Sequence, residues 1–315
     1  MRRGTCLFFA LLLFAVVAPS CVKEFPDLRD GNYLMIVPDI QNYLDNPNYF
    51  RHLDAIVNYY SENADKIDYC LQVGDVTNNN RVEQWNTAKE QFFSKFPKGR
   101  EPIFCLGNHD YGENGLSYQR QSNIIDDLLP QRDSYMEDGG YENYVRQIKW
   151  GGRMFYLLVL EFASRNETLA WADHVIKSNS SKPFIILTHS FLNNYGEIFD
   201  ANDPSCDQTY SQKRYSMGGD YLNDSREIFD KIIYENANVE MVICGHSLSS
   251  NYIEYLAVPN VEGRNVHCIM VNYQHYFEGG SGNVGILKKE GNGYRLRSFC
   301  ATERQWGDVN ISILN

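Results

Sequence analysis

Gly107-Asn108-His109-Asp110 ends the apolar run Ile103-Phe104-Cys105-Leu106, and four other apolar runs end in the same manner. Asp39-Ile40-Gln41 follows Leu34 to Val37, Gly74-Asp75 follows Cys70 to Val73, His189 follows Ile185 to Leu187, and Gly245-His246 follows Met241 to Cys244. Each run is short and β-rich, and each delivers a carboxylate, an amide or an imidazole at its C-terminal end. Open α/β sheets place their ligand sites at those ends. Oxygen and imidazole donors converging there make a metal site, and the absence of thiolate suits Mn, Fe or Zn better than Ca or Cu(I).

Helices must return the chain between these strands. After Asn46-Pro47, a capping residue followed by a proline suited to a first helical position, Leu53, Ile56, Val57 and Tyr60 recur at helical spacing. Val82, Trp85, Ala88, Phe92 and Phe96 mark a second amphipathic helix. Ile228, Phe229, Ile232 and Ile233 mark a third, after the capping pair Asp224-Ser225. This is β-α-β logic. The C-terminal third differs: Val266 to Val271, Val284 to Leu287 and Tyr294 to Phe299 read as strands, with hairpin turns expected at Gly279-Gly280-Ser281-Gly282 and Gly291-Asn292-Gly293. The polar stretches Tyr111 to Tyr135 and Asn193 to Gly219 are long for loops of a compact domain and read as rims of a cleft.

With 315 residues, 43% of them hydrophobic and 14% aromatic, the chain can bury a large core, and no linker interrupts the motif set. The net charge of -11 speaks against a nucleic-acid backbone as partner, because phosphate binding needs clustered Lys and Arg. Of the 8 cysteines, Cys70, Cys105 and Cys244 lie inside the motif strands, where a buried thiol acts as a small hydrophobe. No C-x-x-C spacing occurs, which removes zinc-ribbon and thioredoxin readings. His52 and His174 fall on helices and read as solvated, His267 lies on a strand, and His275 follows one.

Arg2 and Arg3 precede the apolar stretch Leu7 to Val17 and then Ala18-Pro19-Ser20-Cys21. This is the layout of a signal peptide, too short to span a bilayer, which needs about 20 residues. Small residues before Cys21 resemble a bacterial lipoprotein box, so the expectation is an exported chain acylated at Cys21, periplasmic or at the cell surface, touching membrane through its lipid only. Plain secretion is the alternative. The expected organisation is a signal peptide over 1–20, one domain over 31–300 and a C-terminal tail over 301–315.

The ordered blocks D-x-Q, G-D, G-N-H-D, H and G-H, from Asp39 to His246, resemble the calcineurin-like metallophosphoesterase family. The resemblance implies an α/β fold, a two-sheet β-sandwich flanked by helices. It also implies two divalent metal ions sharing a bridging carboxylate and hydroxide. Carried over, Asp75 matches the bridge, Asp39 and Gln41 match ligands of the first metal, and Asn108, His189 and His246 match ligands of the second. His109 matches a general acid, which Asp110 would orient. Two cations about 3.5 to 4 Å apart lower the pKa of a shared water and offset charge on a phosphoryl group. The substrate implied is a phosphorylated small molecule: a monoester, a diester or a diphosphate.

Two positions depart from the pattern: Gln41 stands where His is common, and Leu248 stands where a first-metal His is usual. Leu donates nothing, so the first site should be weak unless Ser247, Ser249, Asn251 or His275 substitutes. Two readings follow, a metal-dependent phosphoesterase and a metal-impaired relative acting as a surface ligand-binding lipoprotein.

Overall fold

A computed structural model describes residues 28–112, 120–136, 140–215 and 221–314. The leader and Cys21 lie outside the described residues. Among those described, 13 strands form two sheets, as the sandwich reading requires. The first has the order β13 (Gln305–Ile313), β12 (Gly293–Cys300), β11 (Asn283–Glu290), β1 (Tyr33–Val37), β2 (Ile67–Gln72), β3 (Ile103–Phe104), and the second β4 (Ser134–Tyr135), β5 (Tyr144–Trp150), β6 (Arg153–Val159), β7 (Phe184–Leu187), β8 (Val239–Cys244), β10 (Asn265–Val271), β9 (Ile253–Pro259). In the first sheet β1 (Tyr33–Val37), β2 (Ile67–Gln72) and β3 (Ile103–Phe104) run parallel. In the second, β6 (Arg153–Val159), β7 (Phe184–Leu187), β8 (Val239–Cys244) and β10 (Asn265–Val271) do so.

Parallel strands covered on both faces need continuous apolar runs rather than alternation. Every residue of β1 and β7 is buried. Three apolar layers result. Ile36, Leu71, Leu157, Leu187 and Ile269 pack between the sheets. Leu53, Ile56, Trp85 and Phe92 bind the helices Phe50–Glu62 and Val82–Gln91 to the outer face of the first sheet. Leu169, Ile176, Ile228 and Phe229 bind the helix Asn166–Ser178 and the helical segment Ser225–Ile233 to the second.

Several local expectations need correction. The helix from Val82 ends at Gln91, because Phe92 leaves helical geometry (φ -133°, ψ -71°), and Phe96 lies beyond a separate short turn. Asn46 caps the short turn Pro47–Tyr49, which leads into the helix from Phe50. Gly279 to Gly282 is not a hairpin turn, because β10 and β11 (Asn283–Glu290) belong to different sheets and the segment crosses between them. Gly291-Asn292 does turn a hairpin, pairing Glu290 with Gly293 of β12 (Gly293–Cys300). Residues 305–313, within the span set apart as a tail, form β13 (Gln305–Ile313), which pairs with β12. His52 is not solvated: it is buried, with Nδ1 2.8 Å from Thr302 Oγ1 and Nε2 2.9 Å from Glu278 Oε2. His174 is exposed. Cys70, Cys105, Cys206, Cys244, Cys268 and Cys300 are free thiols.

Candidate metal centre

The C-terminal ends of β1, β2, β3, β7 and β8 share one rim of the sandwich, and the loops leaving them meet there. Asp39, Gln41, Asp75, Asn108, His189 and His246 are all buried on these loops. The loops are held by backbone contacts: Ile40 N and Gln41 N both donate to Asp75 O at 3.1 Å, and Gly245 N donates to His189 O at 2.8 Å. Asp75 (φ +50°) and His246 (φ +68°) adopt the left-handed conformation that most side chains avoid. Such strain persists where surroundings impose it, commonly at functional sites. Two glycines permit close approach: a Cβ on Gly107 would lie 2.1 Å from Asp75 Oδ1, and one on Gly245 would lie 2.6 Å from Asp39 Oδ1.

Asp75, His189 and His246 form the tightest group, with one donor atom from each within 4.8 Å of the others. His189 Nε2 is 3.2 Å from Asp75 Oδ2 and 3.1 Å from His246 Nδ1. The outer nitrogens fix the tautomers. His189 Nδ1 faces the carbonyl of Val73 at 2.7 Å, and His246 Nε2 faces that of Tyr210 at 2.9 Å. A carbonyl only accepts, so both outer nitrogens carry protons. In neutral rings the two inner nitrogens would then oppose lone pair to lone pair, which requires a proton or a cation at that point. Carbonyl partners of this kind orient histidine ligands of metals.

Without a cation, the balance falls on protonation. Burial opposes charge on His189, yet Asp75 and Asp39 beside it push its pKa up to about 9. Burial and the His189 charge pull His246 down to about 3. Burial acts to raise Asp75, but the histidine charges, led by His189, hold it well below the usual carboxylate range. Burial raises Asp39 to about 8, helped by Asp75 and opposed by His189. Gln41 adds a further sign of fit. Its Nε2 donates to Asp75 Oδ2 at 3.2 Å, while its buried Oε1 has no hydrogen-bond partner among the described residues, an arrangement costing about 1–3 kcal/mol unless a ligand engages the oxygen.

His109 is partly exposed beside this group, and its backbone N–H donates to Asp75 Oδ1 at 3.0 Å. Asp110 does not orient it. His109 Nδ1 lies 2.8 Å from the carbonyl oxygen of Asn78. The Asp110 carboxylate points inward and accepts from Val76 N, Thr77 N, Thr77 Oγ1 and Gly107 N. Side chains of consecutive residues in one helical turn point in different directions, so His109 and Asp110 do not face each other. Burial and Asp75 raise Asp110 to about 6 against the pull of these backbone donors.

Leu248 is half-buried, and the residues considered as its replacement are engaged elsewhere or exposed. Ser247 Oγ donates to Leu192 O at 2.7 Å, Ser249 and Asn251 donate to Glu254, and His275 is exposed. Asn272, which sequence reasoning missed, is buried and donates through Nδ2 to Asp39 Oδ2 at 3.0 Å. Phe162 was missed as well; its ring packs 5.8 Å from that of His189 and 5.4 Å from that of His246. The stretch read as a rim from Asn193 contributes the Tyr210 carbonyl and the Tyr215 ring, 5.1 Å from His246. Of the tyrosines following the motifs, Tyr43 and Tyr111 are buried, whereas Tyr195 is exposed.

Residues 33–250 match the sequence model of the family described as calcineurin-like phosphoesterase (Metallophos). The chain is 24% identical over 277 residues to the uncharacterized protein YvnB of Bacillus subtilis (strain 168). That alignment covers 84% of this chain and 19% of YvnB, so the chain spans about a fifth of that relative's length. In fold it is similar to the crystal structure of a dimetal phosphatase from Danio rerio, at 12% identity and a TM-score of 0.53, covering 91% of this chain and 99% of the other. GAP50, the anchor in the inner membrane complex of Plasmodium, aligns over 90% of this chain and 89% of its own at 10% identity and a TM-score of 0.47. The five strand-end blocks lie inside the matched residues, on the sandwich that the fold comparison shares, and the chain belongs to the calcineurin-like phosphoesterase family.

Proposed function

We propose that the chain hydrolyses a phosphoester, a monoester, diester or diphosphate, at the rim where these loops meet. The opposed inner nitrogens of His189 and His246, 3.1 Å apart with both outer nitrogens on carbonyls, carry this reading. The donor set fits divalent cations: Asn108, His189 and His246 on one side, Asp39 and Gln41 on the other, and Asp75 between. Mn, Fe or Zn bound there would supply Lewis acidity, lowering the pKa of a shared water and offsetting phosphoryl charge. His109 gives the leaving oxygen its proton from Nε2, because Nδ1 is held by the Asn78 carbonyl. Phe162 and Tyr215 cover His246 and limit water around it. Export as a lipoprotein acylated at Cys21 belongs to the same proposal, supported by Arg2, Arg3 and the Leu7 to Val17 stretch.

Leu248 favours a second reading, a metal-impaired relative that binds a ligand at the cell surface. One experiment separates the two. Metal analysis of the dialysed protein is paired with turnover of aryl phosphate mono- and diesters in added Mn. Bound metal with turnover that Asp75→Asn abolishes supports the enzyme; absence of both overturns it. Intact mass of membrane-extracted protein tests the anchor, and a soluble chain with an unmodified Cys21 refutes it.

A further inference from the structure

A second recess opens on the same rim, beside the loop that continues from His246 through Ser250 to Tyr252. The register places it there: Ile253 of β9 (Ile253–Pro259) pairs with Val271 at the end of β10, and Asn283 of β11 pairs with Cys300. The free edges of the two sheets, β9 and β13, form its walls, and its volume is about 700 Å³. This lies within the range of small-molecule sites, about 300 to 1,000 Å³.

Three tyrosines organise the recess. Tyr273 is buried, and half-buried Tyr252 stacks on it at 5.1 Å and 12° between ring planes. Tyr276 stands at 87° to Tyr252, 5.3 Å away, and is 41% exposed. Tyr252 adopts φ +61°, an outlier for a bulky side chain. Its carbonyl accepts from Asn272 N at 2.8 Å, and its N–H donates to Ser249 O at 3.3 Å. Backbone strain that presents a half-buried aromatic ring to a recess is the kind kept for function.

The chemistry of the walls narrows the ligand. None of the described lining residues is Lys or Arg, while Glu254 and Asp308 are acidic, so a phosphate or other anion is disfavoured. An ammonium cage needs several ring faces turned to one point. Here Tyr252 and Tyr273 turn faces to each other, leaving a flat platform with Tyr276 as an upright wall. Amides and hydroxyls of Asn251, Asn310 and Ser298 line the remainder. A flat aromatic floor edged by amides and hydroxyls, with the Glu254 and Asp308 carboxylates as further acceptors, complements a ring that has C–H faces and hydroxyl edges.

We propose that this recess binds a neutral sugar ring, either of a glycan or of a sugar carried by the phosphoester. The glycan case stands independently of the proposed hydrolysis. The test is saturation-transfer NMR on the whole chain with cellotriose, maltotriose and triacetylchitotriose, with tetramethylammonium and inorganic phosphate as other chemistries. At least one sugar should receive saturation on its ring C–H protons. Tyr276→Ala and Asn310→Ala, both at exposed positions, should weaken that binding at least about tenfold, and Tyr252→Phe, which keeps the stack, should retain it. Methyl glucoside compared with glucose 1-phosphate in added Mn separates the two sources: tighter binding of the phosphate marks a sugar phosphoester, equal binding marks a glycan. Absence of transfer to all three sugars, preference for tetramethylammonium, or unchanged binding in folded Tyr276→Ala would overturn the proposal.

Discussion

His109 Nδ1 sits 2.8 Å from the carbonyl oxygen of Asn78, so a main-chain group, not the neighbouring carboxylate, sets the direction of this ring. The loop after Asp75 and the loop after β3 are thereby tied together beside the candidate metal centre.

Replacing His109 by Ala should preserve metal content and lower turnover about 10²- to 10⁴-fold, the range for loss of a general acid. The loss should be greatest for esters with poor leaving groups. Rates on a good and a poor leaving group, measured on the same metal-loaded preparation, check this; equal losses on both would remove His109 from that role.

Asp110→Ala should act differently. Its carboxylate gathers Val76 N, Thr77 N and Gly107 N, and burying those donors unpaired costs about 1–3 kcal/mol each. The expected outcome is a lower melting temperature and loss of bound metal together. A folded variant with full metal and only an altered pH profile would instead restore Asp110 as the partner of His109.

Gly107→Ala would place a Cβ 2.1 Å from Asp75 Oδ1, a contact that must push the carboxylate aside. Metal content should fall markedly while the secondary structure seen by circular dichroism persists. Retention of wild-type metal would show that the loop can move as a body.

Leu248→His should raise metal occupancy, because it adds an imidazole where the proposed first site has only Asp39, Gln41 and shared Asp75. Wild-type protein after long dialysis should hold one ion tightly and gain a second only as Mn is added. Two tightly held ions in wild type would mean that another donor, with Asn272 nearest to Asp39, completes the site.

Glu161, which precedes Phe162, gives a pH prediction that rests on an ion pair and not on the proposed metal ligands. Burial opposes its charge, but Arg120 and Arg165, with Nη2 and Nε at 2.9 and 3.0 Å, and the Thr168 hydroxyl hold its pKa down to about 2. A depressed folded-state pKa contributes stability that is complete above the unfolded value, near 4.5, and is lost as pH falls toward 2. The contribution is on the order of 3 kcal/mol. Melting temperatures between pH 7 and 3 should therefore fall more steeply in wild type than in Glu161→Gln, which should start lower at pH 7. Parallel curves would refute the assignment.

What the sequence made legible was the polar residue at each strand end, because a buried parallel strand is a short apolar run and its first polar residue marks the exit. The sandwich was implied by the family resemblance that those residues carry, and the strands beyond them suited it. The partners of those residues were not legible. Asn78 and Tyr210 act through carbonyl oxygens, which every residue has, and Asn272 meets Asp39 across 233 positions of chain. His52 misled because a polar residue on a helix reads as solvated until the packing of Glu278 and Thr302 over it is known. The last strand did leave a signal, with Val309, Ile311 and Ile313 alternating against Asp308, Asn310 and Ser312.

Asp39, Gln41, Asp75 and Asn108 hang from the first sheet, and His189 and His246 hang from the second. An ion gripped by both sets would be a rivet through the two layers. Its binding free energy, which favours the folded state by mass action, would add to the adhesion that packing and the His189–Val73 and Asn272–Asp39 hydrogen bonds already give the two sheets. Stripping it should unfasten the sandwich from this rim first, so amide protons at the ends of β1 and β8 should begin to exchange before those at the far ends of the same strands.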